Sequence, residues 1–214
     1  MTRKILSAVG TYYTAKLERH GPTPEGVDWK NAESQVLRFE QLHKLFDHEP
    51  DASVIDFGCG YGAFLEFLRA RGHRGAYCGI DVSDAMIASA RSRHEHSPDA
   101  QFLVGAVPPS PMDFLVSSGI FNVRMRFEAA DWERYMTEAL QSMDSASIQG
   151  FAFNCLTSYS DPAFRREDLY YGDPCYWFDF CRRSFSRNVS LLHDYELYEF
   201  TILVRKSSGD RNYD

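Results

Sequence analysis

The stretch Val54-Ile55-Asp56-Phe57-Gly58-Cys59-Gly60-Tyr61-Gly62-Ala63-Phe64-Leu65 decides the fold. A short apolar run ends in an acid and a phenylalanine, three alternating glycines follow, and apolar residues then recur at helical spacing. This pattern predicts a strand, a tight turn and a helix. Glycine tolerates positive φ and, because it lacks a Cβ, lets a ligand approach the backbone closely. The start of the helix adds unpaired N–H groups that a ligand can use.

A second strand follows at an informative distance. Tyr77-Cys78-Gly79-Ile80-Asp81 is strand-like and ends in an acid, and Asp81 comes 21 residues after Gly60 (81 − 60). An acid about 20 residues after a glycine turn, at the tip of the next strand, is placed to hydrogen-bond a ribose diol. The two stretches together predict a nucleoside-containing ligand.

The glycine spacing separates two classes of ligand. Dinucleotide folds use G-x-G-x-x-G, because a pyrophosphate sits on the helix N-terminus. Here the spacing is G-x-G-x-G, closely preceded by Asp56. A carboxylate at that position repels a pyrophosphate and suits a ligand that carries an ammonium and a sulfonium. A NAD-dependent dehydrogenase is therefore the less favoured alternative.

On these residues the chain resembles the class I S-adenosylmethionine-dependent methyltransferases, whose first motif matches Asp56 to Gly62 and whose ribose-binding acid matches Asp81. The resemblance covers about residues 50–206. It implies an α/β three-layer sandwich, with a seven-stranded, mostly parallel sheet and an antiparallel C-terminal hairpin. It implies S-adenosyl-L-methionine as the cofactor. One departure is Ala106, where the family often has an acid that contacts adenine; backbone groups of Ala106 or Val107 can make the same pairing.

The expected cofactor contacts come from five parts of the chain: Arg38, Asp56, Gly58, Cys59, Gly60, Asp81, Val82, Met86, Gly105, Ala106, Val107 and Ser117. The planar guanidinium of Arg38 is expected to donate paired hydrogen bonds to the methionine carboxylate. Val82 and Met86 are expected to flank the adenine ring. Each also has a structural alternative, since Arg38 fits a solvated helix flank and Met86 fits the core.

Composition indicates one catalytic domain that acts on a small molecule. The chain has 214 residues and a formal charge of −7, with 23 basic and 30 acidic side chains. That balance argues against a broad nucleic-acid surface, which needs clustered Lys and Arg.

Five cysteines without a C-x-x-C pair indicate neither a zinc site nor a disulfide framework. No set of His, Asp or Glu residues has the spacing of metal ligands. No apolar stretch reaches the ~20 residues that span a bilayer, and no signal-peptide pattern follows Met1, so a cytoplasmic protein is expected.

The remaining chain divides into segments with different expected roles. Residues 1–50 are predicted to form an ordered N-terminal cap, and residues 51–206 the methyltransferase domain. The aromatic insertion at 157–187 suits a lid over the substrate, with a core-completing helix as the alternative. The proline-rich connection 108–111 is too short for a crossover helix, and residues 207–214 are expected to fray. Periodicity predicts a helix over 128–143 and further strands over 101–106, 113–117, 147–156, 189–192 and 198–204.

The function that these features predict is methyl transfer from S-adenosylmethionine to an O, N or S atom of a small molecule, by in-line displacement. Such a displacement needs no protein nucleophile. If the acceptor is a hydroxyl, the candidates for a base are His20, Tyr12, Tyr159 and His193. The alternatives are a methyltransferase acting on a protein, peptide or RNA, and a non-catalytic cofactor-binding protein. The acceptor and the oligomeric state stay open.

Overall fold

The computed structural model describes residues 1–206. The predicted frayed tail, 207–214, lies outside the described residues. At the centre is one seven-stranded sheet with the order β3-β2-β1-β4-β5-β7-β6. Its strands are β1 Val54–Phe57, β2 Tyr77–Asp81, β3 Ala100–Val104, β4 Met112–Ser117, β5 Ser147–Leu156, β6 Asn188–Leu192 and β7 Glu199–Arg205.

Strands β1 to β5 run parallel, whereas β7 is antiparallel to both β5 and β6. The predicted fold class, including the antiparallel C-terminal hairpin, is confirmed. From β1 the chain moves outward through β2 to β3, then returns to the other side of β1 at β4. The strand order therefore reverses between β1 and β4. In open α/β sheets, ligands bind outside the carboxyl ends of the strands at this reversal.

In residues 1–206, six α-helices flank the sheet, and several begin at side chains that satisfy free N–H groups. Asn31 accepts a hydrogen bond from Ser34 N at 2.9 Å, and Ser83 accepts one from Met86 N at 3.2 Å. The helices are α1 Thr2–His20, α2 Ala32–His43, α3 Ala63–Ala70, α4 Asp84–Arg93, α5 Ala129–Ala146 and α6 Pro174–Ser184, with 3₁₀ turns at Pro24–Val27 and Pro162–Phe164.

The two faces of the sheet bury separate apolar clusters. One cluster joins α1, α5 and α6 to the sheet and includes Ile5, Trp132 and Trp177, each with no exposed surface. The other cluster joins α2, α3 and α4 to the opposite face and includes Leu42 and Leu65. This is the three-layer arrangement that burying both faces of a mostly parallel sheet requires.

Helix α1 is the element that the sequence patterns did not predict. The β3–β4 connection contains no helix, as its prolines predict, so no crossover helix covers that part of the sheet. Helix α1 lies on this face, with Ile5 and Val9 in the same apolar cluster as Ile80. The Oγ atoms of Thr14 and Ser83 are 2.8 Å apart, which attaches α1 to the start of α4. Helix α1 thus takes the layer that a β3–β4 helix would occupy.

The aromatic insertion mainly completes the core. Helix α6 packs on the C-terminal hairpin, with Trp177 and Cys181 fully buried in the cluster that also holds α5. Phe178, Phe180 and Phe185 pack against the same cluster. Other aromatic residues of the segment are exposed, among them Tyr159, Phe164 and Tyr176.

We expect Ile5→Ala to destabilise the protein by about 2–5 kcal/mol, because it removes a fully buried side chain and leaves a cavity. Urea unfolding followed by circular dichroism measures this free energy. Lys4→Ala, at an exposed position of the same helix, is the control and should unfold like the wild type. An Ile5→Ala variant with the wild-type midpoint and slope would show that α1 does not belong to the core.

Candidate cofactor site

The loop between β1 and α3 depends on three glycines in the left-handed region. Gly58, Gly60 and Gly62 have φ values of 82°, 53° and 83°, which residues with a Cβ rarely adopt. A Cβ on Gly58 would also lie 2.2 Å from Cγ2 of Ile120, and one on Gly60 would lie 3.2 Å from Cγ1 of Val27. The loop therefore presents bare backbone to the space above the sheet.

Asp81 holds this loop against the tip of β2. Its Oδ2 accepts a hydrogen bond from Gly60 N at 3.0 Å, and its Oδ1 accepts one from Ser83 N at 2.9 Å. Burial raises the pKa of Asp81, while these N–H donors act in the opposite direction. The residue is only partly buried by surface area, and each carboxylate oxygen keeps a lone pair for a further donor.

Asp56 is the second carboxylate of the site. It is buried, and its Oδ2 accepts a hydrogen bond from the Tyr77 hydroxyl at 2.6 Å. Burial raises the pKa of Asp56 to about 7, which the Tyr77 bond opposes and the charge of Asp81 reinforces. A cation nearby would favour the ionised form of Asp56.

A cavity runs above the carboxyl ends of β2, β1 and β4, which is where open α/β sheets bind their ligands. Asp56 and the glycine loop form its middle. The end at β2 and β3 is lined by Asp81, Val82, Met86, Gly105 and Ala106. Because β4 lies on the other side of β1, the opposite end is lined by Ser118, Gly119 and Ile120, together with Trp29 and Gln35.

The N-terminal segment supplies much of the cavity wall: Leu6, Val9, Tyr13, Val27, Trp29, Gln35 and Phe39. Trp29 lies directly on the backbone after β4, since a Cβ on Gly119 would come within 2.5 Å of the indole ring. Tyr135 of α5 lines the cavity as well. The sequence patterns did not assign Tyr13, Trp29 or Tyr135 to the site, although the density of aromatic residues before position 30 was a signal.

Most of the expected cofactor residues line this cavity: Asp56, Gly58, Cys59, Gly60, Asp81, Val82, Met86, Gly105 and Ala106. Ser117 and Val107 do not. The Ser117 hydroxyl is buried and donates to Phe57 O at 2.7 Å, whereas the Val107 side chain is 73% exposed. The neighbour Ser118 lines the cavity in place of Ser117.

Arg38 is also engaged away from the cavity. Its Nε and Nη2 donate to the two carboxylate oxygens of Glu199 at 2.9 and 2.8 Å, and its Nη1 donates to Ser34 O at 2.6 Å. The guanidinium carbon lies 4.0 Å from the centre of the Trp29 ring. The guanidinium is thus satisfied within the protein, and the structure does not bring it to the cavity wall.

The candidate bases lie outside the cavity too. His20 is exposed at the end of α1, and Tyr12 is a neighbour of Asp28 and Lys16. The rings of Tyr159 and His193 lie 5.9 Å apart at the surface. The segment 157–187 contributes no residue to the cavity lining within the described chain.

Residues 1–206 contain neither a candidate metal centre nor a candidate membrane-spanning helix. No group of three or more His, Cys, Asp or Glu side chains is arranged to hold a metal ion there. In the same residues, no helix combines the length and apolar character needed to cross a membrane.

The cavity suits a nucleoside with a cationic tail. Asp81 presents carboxylate oxygens at one end, and the buried Asp56 lies near the middle. Ser118 Oγ, at the opposite end, is buried without a hydrogen-bond partner in the described chain, as expected where a bound ligand completes the pairing. The bare glycine backbone lets that ligand lie close to the loop.

Sequence comparisons identify relatives of this chain. A family model described as a methyltransferase domain matches residues 54–146. A Mycobacterium tuberculosis protein, Rv1506c, whose name as a methyltransferase is provisional, is 51% identical over 156 residues, which cover 73% of this chain and 94% of that protein. The 2-phytyl-1,4-naphtoquinone methyltransferase of Thermosynechococcus vestitus is 35% identical over 79 residues, covering 34% of this chain and 35% of the enzyme.

Solved structures share the fold at low sequence identity. The complex of DhpI with S-adenosylhomocysteine has a TM-score of 0.68 at 14% identity and covers 95% of this chain and 98% of its own. Magnesium protoporphyrin IX methyltransferase from Synechocystis PCC 6803, with bound S-adenosylmethionine, has a TM-score of 0.65 at 12% identity and covers 94% and 96%. With its sequence relatives and its glycine loop, this chain belongs to the class I S-adenosylmethionine-dependent methyltransferases.

Proposed function

We propose that this enzyme transfers a methyl group to an O, N or S atom of a small molecule. The observation that carries the proposal is the walled cavity, in which the N-terminal segment covers the glycine loop and the carboxyl ends of β1, β2 and β4. A cavity of this kind excludes water and fixes two reactants against each other. The formal charge of −7 opposes binding to nucleic acid. A cytoplasmic location stays a prediction.

Different lining residues bind different parts of S-adenosylmethionine, which supplies a methyl group activated by a sulfonium. Asp81 is placed to accept hydrogen bonds from the ribose hydroxyls, and Val82 and Met86 to pack on the adenine. Asp56 and Ser118 are placed to hold the positively charged amino group. The walls then align the acceptor with the methyl group, since in-line displacement demands a collinear approach.

The hydroxyl and thiol groups of the wall are poor bases at neutral pH, and the Asp56 carboxylate is assigned to the cofactor's amino group. Among the described lining residues there is no His or Lys. Burial raises the pKa values of the Tyr13 and Tyr135 hydroxyls and of the Cys59 thiol well above their ordinary values, so all three stay protonated. This favours an acceptor atom that is nucleophilic without help, such as a neutral amine, a thiolate or an acidic hydroxyl.

Incubation of the protein with methyl-labelled S-adenosylmethionine and a cell extract tests the proposed function. We expect label in the low-molecular-weight fraction after separation by size. Label in protein or RNA would contradict the small-molecule proposal. Tight cofactor binding without any labelled product would favour a non-catalytic protein.

We expect Asp81→Asn to weaken binding of S-adenosylhomocysteine about 10- to 100-fold, because a charged acceptor for the ribose hydroxyls is lost. Isothermal titration measures the dissociation constant. Asp84→Asn, an exposed acid three residues later, is the control and should bind normally. NAD should not compete. Unchanged binding by Asp81→Asn would contradict the ribose-binding assignment.

We expect binding of S-adenosylhomocysteine to strengthen as the pH rises from 6 to 8. The pKa of Asp56 is about 7, so ionisation in this range supplies a negative charge that the ligand's ammonium favours; the bound complex therefore releases a proton. Titrations at several pH values measure the effect. Asp56→Asn keeps an acceptor for Tyr77 and should flatten this part of the profile. An equally steep profile in that variant would contradict the assignment to Asp56.

A further inference from the structure

Among residues 1–206, no Lys or Arg lines the cavity, although an anionic group is expected to bind there. If the proposed function is right, the bound cofactor carries a carboxylate at the end of its methionine part. The described lining residues include Asp56 and Asp81 but no Lys or Arg. Arg38 is committed to Glu199 and Ser34. The carboxylate therefore needs neutral hydrogen-bond donors.

Gln35 is a neutral donor in a suitable place. It is 7% exposed, lines the cavity and lies on α2, one turn before Arg38. Its Oε1 accepts a hydrogen bond from the Tyr61 hydroxyl at 3.2 Å. A side-chain amide whose oxygen is held in this way turns its NH₂ group away from the hydroxyl. Within residues 1–206, the bond to Tyr61 is the only side-chain hydrogen bond of Gln35, so Nε2 makes none to another protein group.

The position of Gln35 agrees with the direction in which the cofactor must run. Asp81, the ribose acceptor, is at the end of the cavity formed by β2 and β3. The methionine part must extend from the ribose across the glycine loop toward the opposite end. Gln35 lies there with Trp29 and Ser118, and Tyr61 belongs to the glycine loop itself.

We propose that the Gln35 amide binds the carboxylate of the cofactor's methionine part, and that Tyr61 is a positioning residue which orients the amide. This assignment rests on the proposed function. It adds a residue that binds the methionine end of the cofactor, opposite the ribose end at Asp81. A neutral amide also avoids placing a cation close to the sulfonium, so the carboxylate is recognised by hydrogen bonding and not by an ion pair.

Two ligands that differ in one group test the assignment. S-Adenosylhomocysteine carries the carboxylate, whereas its decarboxylated analogue keeps the adenosine, the thioether and the amine. Wild-type protein should bind S-adenosylhomocysteine more tightly. Gln35→Leu should weaken that binding about tenfold, the loss of one hydrogen bond to a charged group, and leave the analogue's affinity unchanged. Isothermal titration gives both constants.

Gln35→Glu sharpens the test, because it places a negative charge beside the carboxylate. Like charges in a desolvated site are strongly unfavourable, so S-adenosylhomocysteine should lose about a hundredfold in affinity. The analogue, which has an ammonium and no carboxylate, should bind at least as well as before. The variant should therefore reverse the wild-type preference. Tyr61→Phe should produce a smaller loss that is also confined to S-adenosylhomocysteine.

Gln41→Leu, on the same helix but outside the cavity lining, is the matched control and should change neither affinity. Thermal unfolding of each variant identifies those that have lost the fold. Equal loss of both ligands in folded Gln35→Leu, or no loss of either, would overturn the assignment and leave the methyltransferase proposal standing. Failure of the wild type to bind either ligand would overturn both.

Discussion

The hydrogen bond from Gly60 N to the Asp81 carboxylate is the contact on which the site depends. It joins the glycine loop after β1 to the tip of β2, so the carboxyl ends of these two parallel strands together form the floor of the cavity. The loop can follow this path because its glycines accept positive φ. The same carboxylate also faces the cavity with lone pairs to spare. Asp81 thus shapes the loop and still faces the cavity with acceptor capacity for a ligand.

The sheet and the centre of the site were predictable because their signals are local. Runs of apolar residues, a glycine turn and an acid near the ends of β1 and β2 all lie within a few residues of what they determine. Helix α1 was not predictable in this way. Its buried positions are Ile5 and Val9, too few to define a stripe, and most helical stability comes from packing against other elements.

Local sequence patterns could not predict which residues line the cavity, because contacts between distant parts of the chain determine this. Arg38 has the chemistry to bind a carboxylate, and α2 does lead toward the glycine loop. Glu199 is 161 residues away in the chain and binds the Arg38 guanidinium through both oxygens, which no local pattern indicates. Likewise, the aromatic residues that line the cavity come from the N-terminal segment, whereas α6 of the aromatic insertion packs in the core.

The short β3–β4 connection links the fold to the function. Without a crossover helix, one part of the sheet would be exposed, and α1 covers it with Ile5 and Val9. The same helix supplies Leu6, Val9 and Tyr13 to the cavity wall. A ligand that fills the cavity therefore contacts both the sheet and the helix that closes it. Because the contacts with α1 exist only when α1 is docked on the sheet, a ligand that makes them also stabilises this docking.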